Sequence, residues 1–143
     1  MQRKCCKEKE VVPSIIFASR QIKNFFSAKL QPYNIGVEQI GILFILKESG
    51  ALNITDLSNI TLKDKGTISR TIKCLCKKNL VKKIQEKEDN RIAKIIITPE
   101  GIEKVELIKN NKKTLEDAFA NSISHAEKIE FIRILDKITA AMS

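Results

Sequence analysis

The segment from Asn53 to Ile97 constrains the fold more than any other. Two residues of the kind that cap helix N-termini, Asn53 and Asp64, stand eleven positions apart. The first therefore opens a helix with little room to run before the second opens another. Asp56, three residues after Asn53, supplies an Asn/Asp version of the reciprocal capping box. The spacing predicts a short helix in "ITDLSNI" and a longer one from Asp64 to about Asn79, joined by a tight connection, which is a helix-turn-helix. Two β-branched runs then flank "EKEDN", a polar turn whose Asp and Asn accept strained backbone angles. Alternation puts Ala93, Ile95 and Ile97 on one strand face and Ile92, Lys94 and Ile96 on the other. A hairpin directly after a helix-turn-helix is a wing.

Helical patterns lie on both sides. Pro13 opens a first helix in which Ile15, Ile22, Phe25, Phe26 and Leu30 recur at helical spacing, and "QPYN" stops it. A second helix in "GVEQIGILFILKES" carries Val37, Ile40, Leu43, Phe44 and Leu46, with Gly50 as its C-terminal cap. After the hairpin, "TPEG" starts a long helix with Thr98 as N-cap, Pro99 at the first helical position and Gly101 as a tolerated cost. Its apolar stripe is Ile102, Val105, Ile108, Leu115 and Phe119. "SHAE" caps a last helix with Ile129, Ile132, Leu135 and Ile138. The terminal stripes fall outside a minimal winged helix and need cover, for which a second copy of the chain is the simplest partner.

The expected fold class is therefore α+β, mostly α: a winged helix-turn-helix domain with N- and C-terminal dimerisation helices. Residues 1–12 read as a flexible basic tail and 13–34 as an N-terminal dimerisation helix. Residues 35–98 read as the DNA-binding lobe and 99–143 as C-terminal dimerisation helices.

Charge points the same way. The chain of 143 residues has a formal net charge of +9, which favours an anionic partner. Between Lys63 and Arg91 ten basic residues face four acidic ones. Only five arginines occur in the chain, and two of them, Arg70 and Arg91, fall in this stretch; their planar forks suit base edges and narrow grooves in a way that lysine does not. Within "LKDKGTISRTIKCLCKK", helical geometry stacks Ile68, Ile72 and Leu75 on one face and sets Gly66, Arg70, Lys73 and Lys77 roughly opposite. Lys65, Thr67 and Ser69 lie toward the N-terminal end, where free N–H groups suit phosphate. A solvated basic face is the bland alternative for that helix taken alone.

The order of elements and their residues resembles the MarR family of bacterial winged helix-turn-helix regulators, over about residues 35–107. "NITDLS" resembles the family's first short helix and "DKGTISR" the start of its recognition helix. "NLVKKIQEKEDNRIAKIIITPEG" resembles the strand, the wing with its Asp-x-Arg, and the following helix start. Thr61 and Lys63 stand at turn positions where that family usually has apolar residues, and Asn90 precedes Arg91 where it often has a second arginine. The resemblance implies a homodimer, usually a repressor, on a near-palindromic double-stranded operator, with a small-molecule effector or oxidant changing DNA affinity. It makes Lys65, Gly66, Thr67, Ser69, Arg70, Lys73, Lys83 and Arg91 the expected DNA-binding set.

In that set Arg70 suits guanine, Thr67 and Ser69 are small enough for base edges or thymine methyls, and Gly66 lets the backbone approach the groove. Lys83 is a phosphate neighbour, and Arg91 suits a narrow minor groove, with Asp89 orienting it or pairing with it inside the wing. Two readings stand for Cys5 and Cys6: thiols activated by neighbouring lysines that sense oxidant, or an inert tail. Cys74 and Cys76, about 200° apart on a helix, cannot chelate one metal and read as buried thiols. A redox sensor with DNA binding as output, and a winged helix that binds protein instead of specific DNA, are the competing functions.

No catalytic constellation is visible. His125 has no nucleophile or ligand cluster at useful spacing, and no glycine-rich phosphate loop occurs, so neither an enzyme, a cofactor nor a metal is expected. No apolar run reaches membrane-spanning length and the N-terminus is too charged for a signal peptide, which leads to a cytoplasmic protein with reduced cysteines and no membrane partner.

Overall fold

The computed structural model describes the backbone of residues 10–86, 89–111 and 121–143, and the side chains of these apart from 86 and 89–92. The chain divides into two compact units, Met1–Ile108 and Lys109–Ser143. The first holds helix α1 (Val11–Leu30), a 3-10 turn (Gln31–Tyr33), α2 (Val37–Ser49), α3 (Ile54–Thr61), α4 (Lys65–Lys77), strands β1 (Val81–Glu86) and β2 (Asp89–Ile97), and nearly all of α5 (Pro99–Asn110). The second holds α6 (His125–Ala141).

Helix α1 begins two residues before the expected Pro13. A proline in the first turn lacks only an N–H that has no intrahelical partner, so the helix extends upstream without penalty. It tightens into the 3-10 turn at Pro32, and Asn34 reverses the chain at φ 53°. Two lysines hold this connector. Lys78 Nζ donates to Asn34 O (2.7 Å) and Gln39 Oε1 (2.9 Å), and Lys104 Nζ donates to Tyr33 O (2.8 Å).

Helix α2 is the centre of the first unit. Ile40, Ile42, Leu43 and Leu46 are all buried, so it is covered on more than one side. It ends at Gly50, whose φ of 78° lets its N–H reach Leu46 O at 3.0 Å. The buried core also takes in Leu57 of α3, Ile68, Ile72 and Leu75 of α4, Val81 and Ile95 of the hairpin, and Val105 and Ile108 of α5. Each such side chain contributes about 1.5–3 kcal/mol by leaving water.

Asn53 and Asp56 form the expected capping box: Asp56 N–H donates to Asn53 Oδ1 at 2.7 Å and Asn53 N–H to Asp56 Oδ2 at 3.3 Å. Helix α4 stops at Lys77, because Asn79 turns left-handed at φ 59°. Leu80 N–H then reaches Leu75 O, and Asn79 N–H reaches Cys76 O, both at 3.0 Å. This Schellman closure aims the chain into β1. β1 and β2 pair antiparallel from Val81↔Ile97 to Gln85↔Ala93, with an irregularity between Gln85 and Glu86. Ile95 also exchanges hydrogen bonds with Leu52 (2.7 and 3.1 Å), which forms a one-residue bridge on the other edge of β2.

Thr98 caps α5 as expected, its hydroxyl accepting from Gly101 N–H at 3.0 Å and donating to Asn79 O at 2.6 Å. Gly101 is a correction to the sequence reading. It is buried, and a Cβ there would lie 2.2 Å from Leu80 O and 2.6 Å from Ile97 Cγ1. Glycine is required at this crossing, because α5 passes directly over the residue that leads into β1.

In the second unit, Ser124 and Glu127 cap α6 reciprocally, with Glu127 N–H to Ser124 Oγ at 3.1 Å and Ser124 N–H to Glu127 Oε1 at 2.9 Å. Of the expected stripe, Leu135 and Ile138 are half-buried, while Ile129 and Ile132 are exposed alongside Phe131 and Ile134.

Candidate nucleic-acid interface

The site begins at the cap of α4. Asp64 accepts from Thr67 N–H (3.0 Å) with one oxygen and from the Thr67 hydroxyl (2.5 Å) with the other. The hydroxyl contact chiefly, and then the backbone contact, hold the Asp64 carboxyl below the ordinary carboxylate range, with a smaller push from the Arg70 charge. Arg70 Nη2 in turn donates to the Thr67 hydroxyl at 3.2 Å. A chain of three polar side chains, Arg70 to Thr67 to Asp64, thus runs along the first turn of the helix. It sets the guanidinium beside the helix end where unpaired N–H groups favour anions.

Ile68, Ile72 and Leu75 are buried on the opposite side, as their spacing requires. Lys65, Gly66, Arg70, Lys73 and Lys77 are exposed, and Thr67 and Ser69 are half-buried. A Cβ at Gly66 would lie 3.1 Å from Asp64 Oδ2 and 3.6 Å from Arg70 Nη1. The missing side chain therefore keeps the cap and the guanidinium uncrowded.

The turn before α4 is held from several directions. Ser58 Oγ donates to Lys63 O at 2.5 Å, and Thr61 Oγ1 donates to Leu57 O at 2.7 Å. Lys63 Nζ reaches Glu38 Oε1 at 3.3 Å, and the same oxygen takes Lys23 Nζ of α1 at 2.6 Å. The hydrogen bond from Lys23 is the main reason that the Glu38 carboxyl is held below its ordinary range, and Lys63 adds to it. Thr61 and Lys63, polar where an apolar turn was expected, are therefore satisfied inside the lobe. Sequence reasoning missed Glu38, because nothing local to α2 marks a carboxylate that α1 and the turn share. It also missed Leu62 between the two helices, whose φ is 57°.

On the wing, Lys83 is exposed on β1 and pairs in register with Ile95. Asp89 and Arg91 fall on β2, and their side chains, with any pairing between them, lie outside the described residues, as do Cys5 and Cys6. Cys74 and Cys76 overturn the expectation of buried thiols: Cys74 is exposed and Cys76 half-buried. The seam of Ile68, Ile72 and Leu75 takes the core side of α4, which leaves positions 74 and 76 on its flanks. His125 is exposed in the first turn of α6. Among the described residues no group of three or more His, Cys, Asp or Glu side chains is placed to hold a metal ion, and no helix is long and apolar enough to cross a membrane.

A short helix, a tight turn, a second helix with a basic exposed face and a two-stranded hairpin define a winged helix-turn-helix protein. Residues 36–93 match the model of the MarR family. The regulator MgrA of Staphylococcus aureus is 29% identical over 131 residues, which cover 90% of this chain and 86% of MgrA. SarZ of Staphylococcus haemolyticus is 25% identical over 122 residues, covering 84% and 80%. Among solved structures, that of S. aureus MepR in complex with DNA has a TM-score of 0.85 at 22% identity and covers 94% of this chain and 99% of its own. A mutant MarR from E. coli bound to operator DNA has a TM-score of 0.80 at 17% identity, covering 88% and 91%. At these identities the structural likeness is one of fold.

Proposed function

We propose that this DNA-binding transcriptional regulator of the MarR family works as a homodimer that lays α4 of each copy in the major groove of a near-palindromic double-stranded operator. The observation that carries the residue assignment is the Arg70–Thr67–Asp64 chain on the exposed first turn of α4. Arg70 supplies a fork for guanine, Lys65 and Lys73 meet phosphates on either side, and Gly66 and Ser69 allow close approach. Thr67 has a hydroxyl already engaged by Asp64, so its part is to hold Arg70 in place. Lys83 meets the backbone from the wing and Arg91 enters the adjacent minor groove, with Asp89 beside it. Dimerisation is supported by large apolar side chains left exposed on α1 (Val11, Val12, Ile16, Ile22, Phe25) and on α6 (Ile129, Phe131, Ile132, Ile134). Binding blocks transcription, and a small ligand or oxidant releases the operator; the tail thiols Cys5 and Cys6 are the candidates for the oxidant.

In vitro selection from a randomised duplex library tests the reading. The expected product is an inverted repeat with half-sites about 10–10.5 base pairs apart, or a multiple of that, centre to centre. Its affinity should fall steeply with salt as phosphate counterions are released. Equal, salt-insensitive binding to all duplexes would overturn the proposal.

A further inference from the structure

We infer that Leu62 is a DNA-contacting residue that sets affinity through apolar contact at the mouth of the groove. The inference rests on the placement of α4 given above. Leu62 is 92% exposed, more than any other large apolar residue described in the chain. It also occupies the left-handed backbone region, at φ 57°. The other described residues with positive φ are Asn34, Asn79 and Gly50, the types that tolerate this conformation; Leu62 alone among them is neither asparagine nor glycine. A Leu here is thus unfavourable twice over for the isolated fold, once through its backbone and once through its hydration. Asparagine or glycine would serve the turn better.

The turn that presents it is fixed. Ser58 Oγ holds Lys63 O, Thr61 Oγ1 holds Leu57 O, and Lys63 is tied to Glu38. Lys63 is thereby drawn to the protein side. Leu62, two residues before the cap Asp64, projects into solvent next to the end of α4 that carries Thr67 and Arg70. When that end enters a major groove, the preceding turn meets the groove wall. A leucine cannot donate to phosphate. The chemistry it can meet there is carbon: a deoxyribose of the flanking strand or the C5-methyl of a thymine.

The test uses the full-length chain and the duplex that it selects from a randomised library. Leu62→Gly and Leu62→Asn both fit the left-handed turn, and Asn restores a side chain without apolar surface. Each is expected to melt at or above the wild-type temperature. Each should lose about five- to tenfold in affinity per half-site, as expected for roughly 40–60 Å² of apolar contact. The salt slope should not change, because no phosphate charge is involved. Thymines replaced singly by uracil separate the two carbon partners. A methyl contact gives one position at which uracil weakens wild type but not the variants, whereas a sugar contact gives none while the variants remain weak. Arg70→Ala serves as the control. Unchanged affinity in both Leu62 variants, with Arg70→Ala impaired, would overturn this inference alone. Unchanged affinity in all three would overturn the placement of α4 as well.

Discussion

Gly101→Ala and Gly41→Ala are the same substitution in two helices, and the structure gives them opposite signs. In Gly41→Ala the new methyl meets nothing within 4 Å inside α2. Only propensity and unfolded-chain entropy act, and the variant should gain about 0.5–1 kcal/mol. In Gly101→Ala the same gain is opposed by a methyl placed 2.2 Å from Leu80 O and 2.6 Å from Ile97 Cγ1. Relief requires α5 to move off the start of β1. Overpacking of this kind costs about 1–3 kcal/mol, and disturbing the Thr98 N–H to Leu80 O bond, 3.0 Å long, removes roughly another 1 kcal/mol. The net loss is about 1–3 kcal/mol, or a fall in Tm of roughly 3–12 °C for a chain of this size. Urea unfolding followed by circular dichroism, with thermal melts at fixed protein concentration, measures both variants. If Gly101→Ala is as stable as wild type, α5 does not cross the α4–β1 junction as closely as described, and the geometry that ties the wing to α4 is wrong.

Other outcomes follow from the interface and the turn. Glu38 has a carboxyl held below its ordinary value of 4.5, by Lys23 first, so it stabilises the fold above that pH and the contribution is lost as pH falls through the depressed folded value. Wild type should therefore lose urea stability more steeply than Glu38→Gln as pH falls below 4.5, and parallel curves would remove the shared ion pair from the description. Lys83→Ala should weaken operator and mixed-sequence DNA alike and reduce the salt slope by about 1, as loss of a phosphate contact does. A selective loss on the operator would make Lys83 a base reader instead.

The helix boundaries around the turn were legible in the sequence because their signals are local. Asn53 with Asp56, Asp64 with Thr67 and Ser124 with Glu127 are side-chain-to-backbone contacts three residues apart, and each forms as its residue types require. The seam of Ile68, Ile72 and Leu75 was legible for the same reason. What failed depends on distant neighbours. Gly101 looked like a helix defect because the carbonyl of Leu80, which excludes any side chain there, approaches only after the hairpin has folded back. Leu52 joins β2 through a single residue and has no periodicity to read. Cys74 and Cys76 were assigned by residue type to the interior, although the seam beside them had already filled the core side of α4. At the interface, the exposed lysines and Arg70 followed from helical geometry, but the use of Thr67 as a brace between Arg70 and Asp64 depends on rotamers that spacing does not specify.

Whether α4 reads base edges is decided by titrating Arg70→Ala against the selected operator and a scrambled duplex over several salt concentrations, with sedimentation and a melt confirming a folded dimer. A bidentate contact to guanine gives a loss of about 1–3 kcal/mol on the operator, a smaller loss on the scrambled duplex, and so a lower ratio of specific to non-specific binding. Unchanged operator affinity in a folded dimer would contradict the assignment of the Asp64–Arg70 turn as the reading head of this protein.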